Sequence, residues 1–282
     1  MKIRIGTRGS QLALAQTKLV QQAIQRDFPK ISTEIVILRT KGDRVQNVPL
    51  SGLGGSGVFI KEIESALLAG EIDLAVHSAK DMPVQLAAGL RIGAVLPRGD
   101  VRDVLVTRKG APTPRIIGTG SLRRQLFAQK LFPDAEIRGI RGNVDTRLAK
   151  LRSGEYDAVI LAAAGLWRLG LPGHAVLDFR EFETSEMLPA ACQGIIAVES
   201  RSGDFSDILV KINDSQTMQA LETERHVLRL LGSDCSLPVG ALAEPHGGTI
   251  RLTVTRDCEK IVTGKASAEE RLALAERLVS AL

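Results

Sequence analysis

The sequence predicts an α/β protein of two lobes with like topology, followed by a smaller α+β domain. Three observations predict it. Apolar strand-like runs alternate with amphipathic helical stretches through most of the 282 residues. Two pairs of distant segments match each other, in the same order both times. Beyond about residue 200 the alternation gives way to a long helix, a group of strands and a last helix.

The elements follow in order. KIRIG (2–6) reads as a strand, Ser10 to Phe28 as a helix and TEIVILRT (33–40) as a second strand. The helix VFIKEIESALLA (58–69) stops at Gly70, where the missing Cβ permits a left-handed turn, and LAVH (74–77) follows as a short buried strand. The same grammar returns as strand RIIG (115–118), a helix from Leu122, strand EIRGI (136–140), a helix from Val144 and strand DAVILA (157–162). IGTRGSQLALAQ (5–16) matches IGTGSLRRQLFAQ (117–129), and GEIDLAV (70–76) matches GEYDAVI (154–160). Each lobe therefore presents a Gly-Thr/Ser turn at a helix start. In the first lobe the matching pieces lie further apart, and the excess falls on 39–59. Four of the seven residues from Gly52 to Val58 are glycine, which reads as a mobile loop or lid. The third part has a helix from about Ser215 to Leu231 and strands near 237–243, 249–256 and 259–265. Ser267 and Glu270 form an S-x-x-E capping box before the final helix.

Composition narrows the function classes. A hydrophobic fraction of 44% and a charged fraction of 24% are ordinary for a soluble globular chain. No apolar run is long enough for a membrane helix, and MKIRIGTRGS enters a strand without a signal segment, so the cytoplasm is expected. Three cysteines (Cys192, Cys235, Cys258), widely spaced, with four scattered histidines suggest neither a disulfide framework nor a metal site. The net charge of +5 invites nucleic acid, but one Trp, one Tyr and seven Phe leave little to stack on bases. Arginines set in Gly/Ser turns point instead to a pocket for small, densely charged molecules.

Those arginines sit at equivalent places. Arg8 and Ser10 open the first helix, and Thr119, Ser121, Arg123 and Arg124 open its counterpart. RGNVDTR (141–147) sets Arg141 and Arg147 around a further turn with Asn143 near its N-cap, and Arg168 follows another strand and a short helix. In doubly wound lobes such turns gather at the carboxyl ends of the strands, and arginine suits bidentate carboxylate or phosphate recognition. Singly, each arginine also reads as a solvated surface residue; together they read as an anion site. No GxxxxGK[ST], and no GxGxxG in the required context, favours a nucleotide. VHSAKDMP (76–83) places Lys80 and Asp81 just past a buried strand, either as a salt-bridged turn or as a carboxylate that holds a cation and moves protons. His77 reads as a packed strand residue. Cys235, in GSDCSLPVGAL, lies in a turn open to covalent chemistry or is a free structural thiol; Cys192 and Cys258 read as structural.

Taken together, RIGTRGSQLALAQ, VFIKEIESALLAGEIDLAVHSAKDMP, IGTGSLRRQ, RGNVDTRLAKLRSGEYDAVILAAAGLWRLG, LPAACQGIIAVE and CSLPVGALA closely resemble the porphobilinogen deaminase family over essentially the whole chain. The resemblance implies two lobes like type II periplasmic binding proteins and a small α+β C-terminal domain. It divides the chain into 1–96 with 190–212, then 100–187, then 214–282. It implies a hydroxymethylbilane synthase that condenses four porphobilinogens head to tail, with loss of ammonia, onto a dipyrromethane cofactor held by thioether to Cys235. Hydrolysis then frees the linear product. Each pyrrole ring carries an acetate and a propionate. By match, Lys80, Asp81, Ser121, Arg123, Arg124 and Arg147 join Cys235 in holding the cofactor. Arg8, Ser10, Thr119, Arg141, Asn143 and Arg168 bind substrate. Asp81 matches the catalytic aspartate. The implied partner is porphobilinogen alone, with no nucleic acid and no membrane, and the implied state is a monomer. The sequence departs from the family at the glycine loop. Many members carry Lys-x-Gly-Gly-Lys-Gly, whereas this chain has Gly52 and Ser56 in GLGGSG, and Lys41 or Arg44 is the expected source of the missing charge. A two-lobed organic-anion binding protein and an inactive homologue are the alternative readings.

Overall fold

The computed structural model describes residues 1–38, 58–232 and 237–282. The glycine loop with Lys41, Arg44, Gly52 and Ser56, and the turn with Cys235, lie outside the described residues. In chain order the first elements are β1 (Lys2–Thr7), α1 (Gln11–Asp27), β2 (Ser32–Ile37), α2 (Val58–Leu68), β3 (Leu74–Ser78) and β4 (Leu90–Val95). Then come β5 (Asp103–Arg108), β6 (Ile116–Gly118), α3 (Leu122–Leu131), β7 (Glu136–Arg138), α4 (Val144–Arg152), β8 (Ala158–Ala162), α5 (Ala163–Arg168) and β9 (Leu177–Glu181). The remainder is β10 (Ile196–Arg201), α6 (Ser206–Ile212), α7 (Ser215–Leu230), β11 (Gly240–His246), β12 (Thr249–Thr255), β13 (Val262–Ser267) and α8 (Arg271–Ser280). Met1–Arg98 with Ile195–Glu222 form one compact unit, and Gly99–Gly194 with Thr223–Leu282 form the other.

In the first unit five strands run in the order β2-β1-β3-β10-β4, with β10 antiparallel to both its neighbours. Ile3 and Ile5 of β1 alternate inward, as a half-buried strand requires, and meet Val20 and Ile24 on the apolar stripe of α1. Leu74, Val76, Val198 and Leu209 complete that layer. The other face of the sheet is covered by Ile63, Ala66 and Leu67 of α2, packed on Ile72 and Ala75. Both faces are buried, which explains why LAVH reads as a continuous apolar run.

The second unit repeats the plan in a five-stranded sheet, β7-β6-β8-β5-β9. The two matched segment pairs fall on equivalent places. Ile5 and Gly6 pair with Leu74 and Ala75, and Ile117 and Gly118 pair with Ala158 and Val159, both in parallel. Ser10 caps α1 by accepting from Ala13 N–H (3.2 Å), and Ser121 caps α3 by accepting from Arg124 N–H (3.5 Å). Both helices end on a phenylalanine at φ −135°, ψ 69°, Phe28 and Phe132. The acidic turn residue is equivalent too. Asp73 N–H donates to Arg4 O (2.8 Å) and Asp157 N–H to Ile116 O (2.9 Å), while each carboxylate accepts a backbone N–H in return.

Burial pushes the Asp73 and Asp157 carboxyls up, but hydrogen bonds from Arg4, and from Arg115, Ile116 and Arg108, leave both below the usual aspartate value. A depressed folded pKa contributes stability that is present above the unfolded value of about 4 and is lost as pH falls through the folded one. Asp157→Asn is therefore expected to lower the urea midpoint at neutral pH and to flatten its decline on acidification. An unchanged decline would assign the acid sensitivity to other carboxylates.

Also in the second unit, β11, β12 and β13 form a three-stranded antiparallel sheet. Its Leu242 and Cys258 join Ile117, Phe127, Ile160 and Leu188 in one core cluster. The third strand begins at Val262 rather than Glu259, because Asp257 Oδ1 gathers the N–H groups of Glu259 (2.9 Å) and Lys260 (3.1 Å) into a turn. The expected capping box does not form: the last helix begins at Arg271 with Glu270 as its N-cap, while Ser267, the end of β13, accepts from Glu270 N–H (3.3 Å) and donates its hydroxyl to Glu270 Oε2 (2.9 Å) in the turn before it.

Candidate functional site

In each unit the candidate residues emerge at the carboxyl edge of the parallel strands. β1 and β3 are parallel neighbours, so the turn after Thr7 and the turn after Ser78 open on the same edge. The first carries Arg8, half-buried, and Ser10 at the N-terminus of α1. The second is a single 3-10 turn, Ala79–Asp81, with Lys80 half-buried and Asp81 exposed. Met82 N–H closes that turn on Ala79 O (3.2 Å). The turns that carry Arg8 and Ser10, and Lys80 and Asp81, therefore leave one edge of the first lobe's sheet, with the N-terminus of α1 at that edge.

In the second unit β7, β6 and β8 are the parallel neighbours. Thr119, fully buried, donates its N–H to Arg138 O (2.9 Å) and accepts from Ser121 N–H at its hydroxyl (3.2 Å), which folds the Gly-Thr-Gly-Ser turn tightly. Asn143 caps α4, accepting from Thr146 N–H (3.1 Å) and Thr146 Oγ1 (2.8 Å). Arg147 Nε donates to Gly142 O (2.8 Å), and Arg141 is exposed beside it. Arg168 ends α5 and donates to Gly194 O (2.6 Å); burial pushes its guanidinium down to about 10. The turns with Thr119 and Ser121, and with Arg141, Asn143 and Arg147, follow the parallel neighbours β6 and β7 and so leave one edge of this sheet, with two helix N-termini among them.

Arg123 and Arg124 are placed differently from a surface pair. Being the second and third residues of α3, they lie on its inward face, 3% and 6% exposed. Both reach Asp103, the fully buried first residue of β5. Arg123 Nη2 donates to Oδ2 (2.7 Å), and Arg124 Nη2 and Nε donate to Oδ1 (2.7 and 3.0 Å). Gln193 Nε2 adds a bond to Oδ1 (2.9 Å), and the spare guanidinium donors go to Leu188 O (2.6 Å) and Ile160 O (3.1 Å). Burial lowers the Arg123 pKa, Asp103 raises it, and Arg124 opposes it. Among the described residues, two guanidiniums share the one carboxylate of Asp103, and Arg123 Nε is buried with no hydrogen-bond partner. Sequence reasoning missed Asp103 and Gln193. The one available signal was an acidic residue opening the otherwise apolar strand DVLVTR.

The other expectations are placed as follows. Cys192 and Cys258 are buried and form no disulfide with each other, and burial pushes the Cys258 thiol up to about 11. Among the described residues no group of His, Cys, Asp and Glu is arranged to hold a metal. No helix of the described residues is long and apolar enough to cross a membrane. The turn with Cys235 follows α7, whose Glu224 is fully buried and accepts from Cys192 N–H and Ala243 N–H (2.7 Å). That carboxylate ties the helix, the segment before β10 and strand β11 together on either side of the turn.

The donor set fits a polyanionic ligand. Hydroxyls, helix N-termini and guanidiniums at the sheet edges suit carboxylates, which accept only.

Comparison with known proteins agrees. A family model described as "Porphobilinogen deaminase, dipyromethane cofactor binding domain" matches residues 3–208. The chain is 46% identical over 258 residues to a porphobilinogen deaminase of Syntrophobacter fumaroxidans, covering 89% of this chain and 82% of that protein. It is 48% identical over 258 residues to one of Geobacillus kaustophilus (89% and 83%). It is 42% identical over 276 residues to one of Lachnospira eligens (93% and 92%). Among solved structures it is similar to the BvgS periplasmic VFT2 domain of Bordetella pertussis, with a TM-score of 0.43 and 15% identity, covering 79% of this chain and 92% of that one. The BenM effector binding domain, solved with its effector benzoate, gives a TM-score of 0.42 at 15% identity, covering 82% and 93%. On its sequence and its matched domain, the chain belongs to the porphobilinogen deaminase family.

Proposed function

We propose that Asp81 moves the protons and holds the developing positive charge of a hydroxymethylbilane synthase, that Cys235 carries its dipyrromethane cofactor by thioether, and that the basic turns of the two lobes bind pyrrole carboxylates. The activity is that of the family, a transferase of tetrapyrrole biosynthesis with a dipyrromethane cofactor binding domain. One observation supports the residue assignments: β1 and β3 are parallel neighbours, so the turn with Arg8 and Ser10 and the turn with Lys80 and the exposed Asp81 leave the same edge of the sheet.

The bound dipyrromethane supplies a two-ring primer to which further rings are added. Asp81, exposed at the edge, protonates the departing amine, lies against the cationic carbon left behind, and takes the ring proton after coupling. Lys80 fixes a cofactor carboxylate next to it. Ser121 and Arg147 hold cofactor carboxylates in the second lobe, with Arg123 and Arg124 contributing the buried positive charge behind the Ser121 turn. Arg8, Ser10, Thr119, Arg141, Asn143 and Arg168 take the acetates and propionates of substrate. The chain acts as a monomer on free porphobilinogen in the cytoplasm, with no nucleic acid involved.

Incubation of the purified protein with porphobilinogen is expected to release ammonia and a linear tetrapyrrole together. Binding of porphobilinogen without ammonia release would support the two-lobed binding protein instead.

Lys41 or Arg44 supplies the charge that Gly52 and Ser56 do not. Each charge-assisted hydrogen bond lost is worth about 1.5–3 kcal/mol, so replacing both with alanine is expected to raise KM for porphobilinogen at least about tenfold. Unchanged turnover and affinity would remove them from the site.

A further inference from the structure

We infer that His77 and Glu199 are positioning residues for Asp81. His77 is the fourth residue of β3 and stands four positions before Asp81. Across the ladder to β10 it lies opposite Ala197, so Glu199, two residues further, shares its face of the sheet. His77 Nε2 and Glu199 Oε2 are 3.0 Å apart, with side chains 5% and 0% exposed. Glu64 of α2 is a further ionisable group near the pair, with electrostatic links to both Glu199 and His77, and Lys61 of the same helix lies near Glu64. Glu64 accepts from Ala87 N–H (3.2 Å), and burial pushes its carboxyl up, with Glu199 adding to the rise.

The next two positions are fixed by other elements. Ser78 points to the opposite face, where Gln16 Nε2 of α1 donates to its Oγ (2.8 Å). Ala79 N–H donates to Ile195 O (3.0 Å). Three consecutive residues are therefore held by β10, by α1 and by the chain entering β10, and the turn bearing Asp81 starts at the last of them.

Stability does not account for the first of these ties. Glu199 Oε1 is buried with no hydrogen-bond partner among the described residues, and an unsatisfied buried oxygen costs free energy. Replacing both partners of a buried hydrogen bond by apolar groups of the same shape is commonly near neutral or stabilising. The pair instead contributes direction, fixing β3 against β10 where the chain leaves for Asp81.

This inference rests on the assignment of Asp81. The test is steady-state kinetics and intact mass of His77→Leu beside Asp81→Asn. His77→Leu is expected to keep its cofactor mass and its KM within about twofold, and to lose about ten- to a hundredfold in kcat, the cost of a misplaced catalytic group. Normal kcat in His77→Leu with slow Asp81→Asn overturns the positioning role alone. Normal kcat in Asp81→Asn overturns the assignment of Asp81 instead. If His77→Leu does not fold, Glu199→Met, which keeps the length and removes the hydrogen-bond partner of His77, is read the same way, and normal kcat there overturns the inference.

Discussion

Asp81→Asn is expected to carry its cofactor in full and yet to elongate about 10²- to 10⁴-fold more slowly than the unmodified chain, the usual contribution of a positioned acid–base group. The substitution preserves shape, and Asp81 is exposed at the end of a 3-10 turn closed by backbone atoms alone, so the fold loses nothing that side chain supplies. What is lost is a group able to donate, accept and neutralise in turn. Because an amide does none of these near neutral pH, kcat falls while KM stays near its original value. Single-turnover mixing with porphobilinogen, followed by mass, separates the steps. Near-normal elongation would take Asp81 out of its assigned role.

Asp103→Ala is expected to cost more stability than Asp157→Asn, Asp81→Asn or His77→Leu. It removes the one carboxylate shared by Arg123 and Arg124 and leaves two buried guanidiniums facing each other. Breaking a buried pair in this way costs about 3–5 kcal/mol, since the remaining charge has neither partner nor water. The urea midpoint should fall accordingly with little change in slope. Arg123→Met with Asp103→Ala removes a charge of each sign and should recover part of the loss. A midpoint within experimental error of the unmodified chain would mean that water or another carboxylate satisfies the arginines.

Much of the fold was legible because it is written twice. The Gly-Thr turn with its serine cap and the acidic turn before a buried strand recur, and both land at matching registers in the two sheets. The caps Ser10, Ser121 and Asn143 were legible locally, since a hydroxyl or amide before a helix has one geometry to adopt. The antiparallel strands β5 and β10 were not. DVLVTR and IAVESR are lone apolar runs, and nothing within six residues says that each inserts between two strands made elsewhere in the chain. Arg123 and Arg124 show the same limit. Their helix start favours an anion, but Asp103, some twenty residues earlier, meets them only once β5 is laid in the sheet. His77 and Glu199, 122 residues apart, are joined by the same ladder.

If this chain builds a linear tetrapyrrole on a primer bound through Cys235, the intact mass of the protein purified from cells that make porphobilinogen will show it. An excess over the sequence mass equal to two pyrrole units is expected, absent in Cys235→Ser. An unmodified chain, or an excess that survives Cys235→Ser, would contradict it.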